Sequence, residues 1–315
     1  MVDSPQSLRI LCTGDGESVF SVRGSALSRI DAFISSTDLK QNLFDTLDDG
    51  LTYKQIMLQR TVDGKMVAKN AFSYRIEQLD GLLKNEELQM AYQPIVDPHT
   101  KQAIGYEALS RPSGNFKLNP QDLFQAAVET GRIWDLGRLV RKRIAQTIDF
   151  FPEDSLIFIN LHPAELEDPE LIAPSAPLKA YANRIVYEIT ERTPITHIPS
   201  FQQHLRELRK RGYRVAIDDL GAGHANFSSL ALLEPDFVKI DMELVRSVHT
   251  SPRRLRLLGR LVDMANEEGI FAIAEGIETE EEANAIRELG CHYFQGFLFG
   301  RATIPVAKIT KKTAS

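Results

Sequence analysis

Cysteine is nearly absent: Cys12 and Cys291 are the only two in 315 residues, and no CxxC pair occurs. That excludes a disulfide framework. No apolar run approaches the roughly 20 residues that cross a bilayer, so no membrane segment is expected. The N-terminal MVDSPQSLRILC lacks the charged-then-apolar layout of a signal peptide, and a cytoplasmic protein is the expectation. Internal repeats and Pro-rich or Ser-rich linkers are missing too. There is no basic surplus: the net charge is −6, which argues against a nucleic-acid polymer or a membrane surface as the general partner. What remains, with 43% hydrophobic and 25% charged residues, is an ordinary folded chain rather than a disordered or low-complexity one.

Residues 1–75 form a short mixed segment. SLRILC reads as a strand, SALSRIDAFI and LKQNLFDTL as helices, and YKQIMLQRTVDGKMVAK as a hairpin turning at Asp63-Gly64. This is too little chain for a large core. Its role stays open between a regulatory module and a packing or dimerisation segment. Residues 76–315 are regular. After the amphipathic helix SYRIEQLDGLLKNE come eight strand-like segments: MAYQPIV, AIGYEAL, LIFINL, RIVYEI, RVAIDD, FVKID, FAIAEG and YFQGFLF. They are almost continuously apolar, as strands buried on both faces are. Helical stretches such as FQQHLRELRKRG and EEEANAIRELG separate the later ones. Repeated strand–helix alternation means parallel strands with crossover helices, and eight of them predict an α/β (β/α)8 TIM barrel. Only Asp97 to Gln102 separates the first two strands. A parallel crossover needs a dozen or more residues, so the first strand should run antiparallel and the barrel is a modified one.

Polar residues mark the strand ends: Glu107, Asn160, Glu188, Asp218-Asp219, Lys239 with Asp241, Glu275 and Gln295. A single Asp or Asn there is an ordinary cap. Seven consecutive strands with such residues at one barrel mouth are not explained that way, because the C-terminal mouth is where barrel active sites lie. Six carboxylates gathered there cannot all stay ionised without a cation. Oxygen ligands with no Cys or His at the strand ends point to Mg²⁺ or Mn²⁺. Adjacent Asp218 and Asp219 suit a pair of ions, and two-metal sites serve phosphoryl displacement. Lys239 would hold water or neutralise phosphate charge. The scattered His162, His197, His204, His249 and His292 read as surface or packing residues, and Trp134 as core or interface.

These residues stand in an ordered set of motifs. YEALSR spans Tyr106 to Arg111; YQPI starts at Tyr92, IN at Ile159, EITE at Glu188 and DDLGAG at Asp218. VKID starts at Val238, AEGIET at Ala274 and QGFLFG at Gln295. Residues 83–301 thereby resemble the EAL domain, the bacterial cyclic-di-GMP phosphodiesterase family. The resemblance implies a barrel with an antiparallel first strand that hydrolyses cyclic-di-GMP to linear pGpG with two Mg²⁺ or Mn²⁺ ions. It implies that Glu107, Asn160, Glu188 and Asp218 ligate the first ion and Asp218 and Asp219 the second. By the same resemblance Lys239 positions the nucleophilic water and Glu275 is the base or a water-mediated ligand. Glu107 and Asp219 belong to this catalytic set. Arg111, Gln93, Asp241 and Gln295 are expected on the nucleotide side, and Glu191 is expected to anchor the loop after Asp219. A homodimer pairing near Ala231-Leu232-Leu233 is also implied. The sequence departs from the family's commonest pattern at Pro112, Leu220 and Ile277, none of them a ligand.

Two other readings compete. A cyclic-di-GMP receptor that no longer turns over is opposed by the intact acids, Lys239 and Glu275. Other barrel enzymes also use such residues: enolase-like enzymes place acids and a Lys around Mg²⁺, and glycosidases place two carboxylates. A glycosidase needs neither Asn160 nor the Asp218-Asp219 pair.

Overall fold

The computed structural model describes residues 10–13, 32–35, 67–114, 116, 118–190, 201–221 and 227–306. By its contacts the chain divides into Met1–Glu77 and Gln78–Ser315. In the first unit, β1 (Ile10–Thr13) and β2 (Ala32–Ser35) pair in parallel, Ile10 opposite Ala32. Strand β2 corrects the end of the helix expected over SALSRIDAFI, of which residues 25–31 lie outside the described residues. A four-residue run holding Phe33 and Ile34 has no readable helical period, and a pairing partner decides its state. Helix α1 (Val67–Asn85) begins earlier than expected and takes over the end of the supposed hairpin. The turn at Asp63-Gly64 and the segment LKQNLFDTL lie outside the described residues. α1 buries Leu79 and Leu82 on one face. It closes at Glu86, φ 54°, with Glu87 N–H reaching Leu82 O at 3.0 Å, the left-handed cap that lets the chain turn into a strand.

The second unit is a closed eight-stranded barrel. Its strands are β3 (Leu88–Val96), β4 (Ala103–Pro112), β5 (Leu156–Asn160) and β6 (Ile185–Thr190). They continue with β7 (Arg214–Leu220), β8 (Phe237–Ile240), β9 (Phe271–Ala274) and β10 (Tyr293–Gln295). The helices are α2 (Pro120–Glu129), α3 (Ile133–Thr147), α4 (Phe201–Lys210) and α5 (Phe227–Leu233). After them come α6 (Met242–Val245), α7 (Pro252–Glu267) and α8 (Glu280–Glu288). Among the described residues no helix is long and apolar enough to cross a membrane.

β3 runs antiparallel to both β4 and β10, and every other neighbour pair is parallel. The turn chemistry explains it. Asp97 Oδ1 accepts from His99 N–H (2.9 Å) and Thr100 N–H (2.7 Å), and Lys101 takes φ 55°, an Asx turn that reverses the chain in a few residues. Helix α2 was not expected from the sequence, although Asn119 as N-cap before Pro120 is a readable start signal. The last strand is shorter than YFQGFLF: it stops at Gln295. At Gly296 the chain passes so close to its neighbour that a Cβ would lie 2.0 Å from Ile277 O.

Leu220 and Ile277 are buried and pack as the apolar residues their positions ask for. Trp134 packs against the core and donates to Ala164 O at 2.7 Å. His162 caps a short turn by accepting Ala164 N–H, and His292 accepts Ala272 N–H. These two histidines have structural partners.

Candidate active site

The barrel interior is built in two layers by the period-two alternation of strands. Ile95, Phe158, Val186, Ala216, Phe237 and Ile273 form one apolar cluster inside it. Two residues further toward the mouth stand Gln93, Asn160, Glu188, Asp218, Lys239 and Glu275. Glu107 follows Gly105, and Gln295 follows Tyr293, by the same step. Gly105 leaves room for the apolar layer, since a Cβ there would lie 2.7 Å from Leu156 O and 3.1 Å from the Phe158 ring. Burying the apolar layer therefore fixes the direction of the polar one.

Asp219 departs from that alternation, because the residue after Asp218 should face outward. The β7–β8 register shifts between Ile217 and Leu220, and Asp219 takes φ 61°. Such a bulge re-aims a side chain, and Asp is among the few residues that tolerate the left-handed region. Carboxylate oxygens of Asp218, Asp219 and Glu275 consequently lie within 4.8 Å of one another.

Lys239 sits at the centre, 1% exposed. Its Nζ is 2.6 Å from Glu275 Oε1, 2.8 Å from Glu188 Oε1, and 3.3 Å from both Glu107 Oε2 and Asp218 Oδ1. Burial opposes its charge, but Asp218, Glu107, Glu188 and Glu275 together hold the ammonium well above its ordinary pKa. The acids answer in kind. Burial pushes Glu188 well above the carboxylate range; Lys239 opposes this, while Glu107 and Asp218 add to it. Glu275 is pushed up to about 8 by burial and by Asp218 and Glu107, against the pull of Lys239.

Glu107 is held by two further side chains. Gln295 Nε2 donates to its Oε2 at 2.6 Å and Asn160 Nδ2 to its Oε1 at 3.3 Å; Gln295 Nε2 also reaches Gln93 Oε1 at 3.2 Å, and Gln93 Nε2 donates to Gly300 O at 3.1 Å. Gln295, expected on the nucleotide side, thus braces Glu107, and Gln93, expected there too, steadies Gln295. Asp241 caps α6, its Oδ1 accepting Glu243 N–H at 2.7 Å.

Gln93, Glu107, Asp218, Asp219, Lys239, Asp241, Glu275 and Gln295 line one cavity of about 690 Å³. Arg111, Asn160 and Glu188 line a second, of about 310 Å³, and Leu109 and Gln121 border both. Arg111 Nη1 donates to Ser110 O at 2.8 Å. Glu191 and residues 222–226 lie outside the described residues. The sequence reading missed Met242, Arg246, Glu278 and Phe297 on the wall of the larger cavity. Of these Glu278 and Phe297 carried a signal, lying within AEGIET and QGFLFG; Met242 and Arg246 reach the mouth through loop geometry.

The donor set fits hard divalent cations. Glu188 Oε1 is paired with Lys239, whereas Glu188 Oε2 and Gln295 Oε1 are buried and accept no hydrogen bond, which leaves buried acceptors for an ion to satisfy. The ligand atoms are oxygens throughout, the chemistry of Mg²⁺ or Mn²⁺ rather than of a thiolate zinc site.

Fold and site together define a modified (β/α)8 barrel protein with a buried lysine among carboxylates at its C-terminal mouth. Residues 76–302 match the EAL domain model, and the chain belongs to the EAL domain family. It is 29% identical over 234 residues to the probable cyclic di-GMP phosphodiesterase PdeG of Escherichia coli (strain K12), covering 71% of this chain and 46% of that protein. To the probable cyclic di-GMP phosphodiesterase PdeI of the same organism it is 33% identical over 229 residues, covering 68% and 28%. The chain thus spans less than half the length of either relative. Among solved structures, a manganese/cy-diGMP complex of Klebsiella pneumoniae BlrP1 matches with TM-score 0.61 and 32% identity, over 69% of this chain and 56% of that one.

Proposed function

We propose that this chain hydrolyses cyclic-di-GMP to linear pGpG with two Mg²⁺ or Mn²⁺ ions, and so lowers that second messenger. The observation that carries the reading is the complete acidic mouth: Lys239 Nζ within 3.3 Å of four carboxylates, with Asp219 turned inward beside them. The names of PdeG and PdeI and the ligands of the BlrP1 complex support the substrate and metal.

In this reading Glu107, Asn160, Glu188 and Asp218 hold one ion and Asp218 and Asp219 the other. Bound there, the ions supply an activated water and charge stabilisation at both oxygens of the displacement. Lys239 orients the attacking water and offsets the charge growing on phosphate. Glu275 takes the water's proton, Arg111 contacts the nucleotide from the adjoining cavity, and Asp241 holds its loop at the mouth. The water oxygen bonds to phosphorus, one P–O bond to ribose breaks, and the leaving ribose oxygen takes a proton from solvent while Glu275 releases the one it accepted.

Incubation with cyclic-di-GMP is expected to yield pGpG with Mg²⁺ or Mn²⁺, nothing with chelator, and pGpG again on metal return. Full activity in verified metal-free protein would remove the two-metal mechanism. Protons and cations compete for the same oxygens, so the metal concentration for half activity should rise as pH falls. Ca²⁺ should inhibit, since its longer, looser coordination misplaces the two oxygens.

The same reading includes a homodimer formed around α5, where Ala231 is exposed and Leu232 half-buried. Light scattering that finds single copies at every concentration would set it aside.

A further inference from the structure

Glu282 lies outside the acidic mouth, in the first turn of α8, yet it is 3% exposed and its carboxylate is fully engaged. Its Oε1 accepts Ser247 N–H at 2.7 Å. Its Oε2 accepts Glu278 N–H at 2.9 Å and Thr279 N–H at 3.2 Å. Glu282 N–H in turn donates to Thr279 Oγ1 at 3.2 Å. The Thr279 half is a capping box, which belongs to the helix itself. The Ser247 bond does not: it reaches 35 residues back, into the loop after β8. Ser247 stands at φ 54°, a conformation that costs a non-glycine residue and persists only where its surroundings hold it. Burial works against the charge on Glu282, but the three backbone N–H donors outweigh it and hold the carboxyl below its ordinary range.

One buried carboxylate therefore joins the loop after β8, residues 241–247, to the loop after β9, residues 275–279. These loops carry Met242, Arg246 and Glu278, which wall the larger cavity. The two loops also meet where Gly276 lies against Met242 and in the Arg246–Glu278 ion pair at 2.5 Å, with side chains 52% and 42% exposed. A pair that exposed is too weakened by solvent to hold two loops. The catalytic half of the second loop has separate anchors: Glu275 N–H reaches Ile240 O and Ile277 N–H reaches Gln295 O, each at 3.1 Å. The backbone N–H groups of Glu278 and Thr279 are held by Glu282.

Resting on the phosphodiesterase reading, we infer that Glu282 is a positioning residue. By tying Ser247 to Glu278 and Thr279 it sets the wall of Met242, Arg246 and Glu278 against which the nucleotide docks. It governs substrate affinity and touches neither substrate nor metal.

The test pairs steady-state kinetics on cyclic-di-GMP with amide hydrogen exchange on the metal-free full chain. Glu282→Ala removes all three accepted bonds and should raise KM by at least roughly tenfold, the scale of a single charge-assisted hydrogen bond. The kcat and the Mn²⁺ concentration for half activity should stay near wild type. Exchange at Ser247 should speed up while exchange at Ile277 does not. Glu282→Gln keeps one carbonyl oxygen and should recover part of the KM effect; it also carries the test if the alanine variant fails to fold. A wild-type KM in both variants overturns the proposal, as does a loss of kcat at unchanged KM or a Ser247 amide as protected as before. If the wild type neither binds nor cleaves cyclic-di-GMP, the functional reading fails, and exchange alone decides whether Glu282 joins the loops.

Discussion

Lys239→Met is expected to abolish hydrolysis and to destabilise the metal-free protein, with a deficit that grows with pH. The lysine is 1% exposed and its Nζ lies within 3.3 Å of Glu107, Glu188, Asp218 and Glu275. Removing one partner of a buried ion pair costs about 3–5 kcal/mol, because the other charge stays buried and uncompensated. Methionine fills much of the volume, so the loss is one of charge rather than of packing. Proton uptake relieves part of it. A carboxyl whose folded pKa lies above its unfolded value holds a proton in the native state that the unfolded chain has already released, so its contribution falls as pH rises between the two. Glu275, at about 8 with the lysine present, would be held higher still without it. Thermal unfolding at pH 6 and pH 8, with and without Mn²⁺, separates the effects. The deficit should be larger at pH 8 and should shrink when divalent ions replace the lost charge. Hydrolysis should stay at least about 10²-fold down under every condition, the scale of one lost electrostatic stabiliser. A variant that hydrolyses cyclic-di-GMP like the wild type would mean that Lys239 serves the fold alone.

The inward direction of Asn160, Glu188, Asp218, Lys239 and Glu275 was legible because each stands two residues after an apolar one that fills the barrel. Period two carries that information along a strand without any knowledge of neighbours. The antiparallel first strand was legible for a similar reason, since six residues between strands permit a hairpin and forbid a crossover. Asp219 was harder. Its place beside Asp218 contradicts the alternation, and only the register shift at Ile217–Leu220 with φ 61° resolves the contradiction. A bulge of that kind belongs to the pairing of two strands and leaves little mark in either one. Gln93 and Gln295 were legible as mouth residues but not as support for Glu107, because the Gln295–Glu107 bond spans 188 residues and the Gln295–Gln93 bond closes the barrel between β10 and β3 across 202. Met242, Arg246 and Glu282 reach the rim through loops and a helix cap, whose sequences obey only local rules. Strand β2 fell on the other side of the same limit: four residues are too few for periodicity to choose between helix and strand.

Glu275→Gln should separate catalysis from binding. The side chain follows β9, whose Ala272, Ile273 and Ala274 are fully buried, and it emerges at the mouth beside Asp218 and Asp219. In the metal-free mouth burial and the neighbouring acids push its pKa up to about 8, and cations on those acids would offset their share of the push and favour the carboxylate that accepts a proton. Glutamine preserves size and keeps a carbonyl oxygen, but it cannot take the proton of the attacking water. Turnover should therefore fall by at least the roughly 10²-fold that lost acid–base assistance costs. Nucleotide affinity should survive, because in the proposed reading the phosphates are held by the ions and Arg111. Glu107→Ala should fail at a different step. Glu107 is held by Gln295, Asn160 and Lys239, so its removal takes away the proposed ligand and leaves these three groups without their shared partner. Metal affinity should drop, and with it both binding and turnover. Affinity for cyclic-di-GMP, turnover and a Mn²⁺ titration, measured side by side on the two variants, decide the assignment. Wild-type turnover in Glu275→Gln would strip Glu275 of its role. A wild type that binds cyclic-di-GMP tightly with every metal tried and never releases pGpG would be a receptor, and the acidic mouth would then serve ligand capture alone.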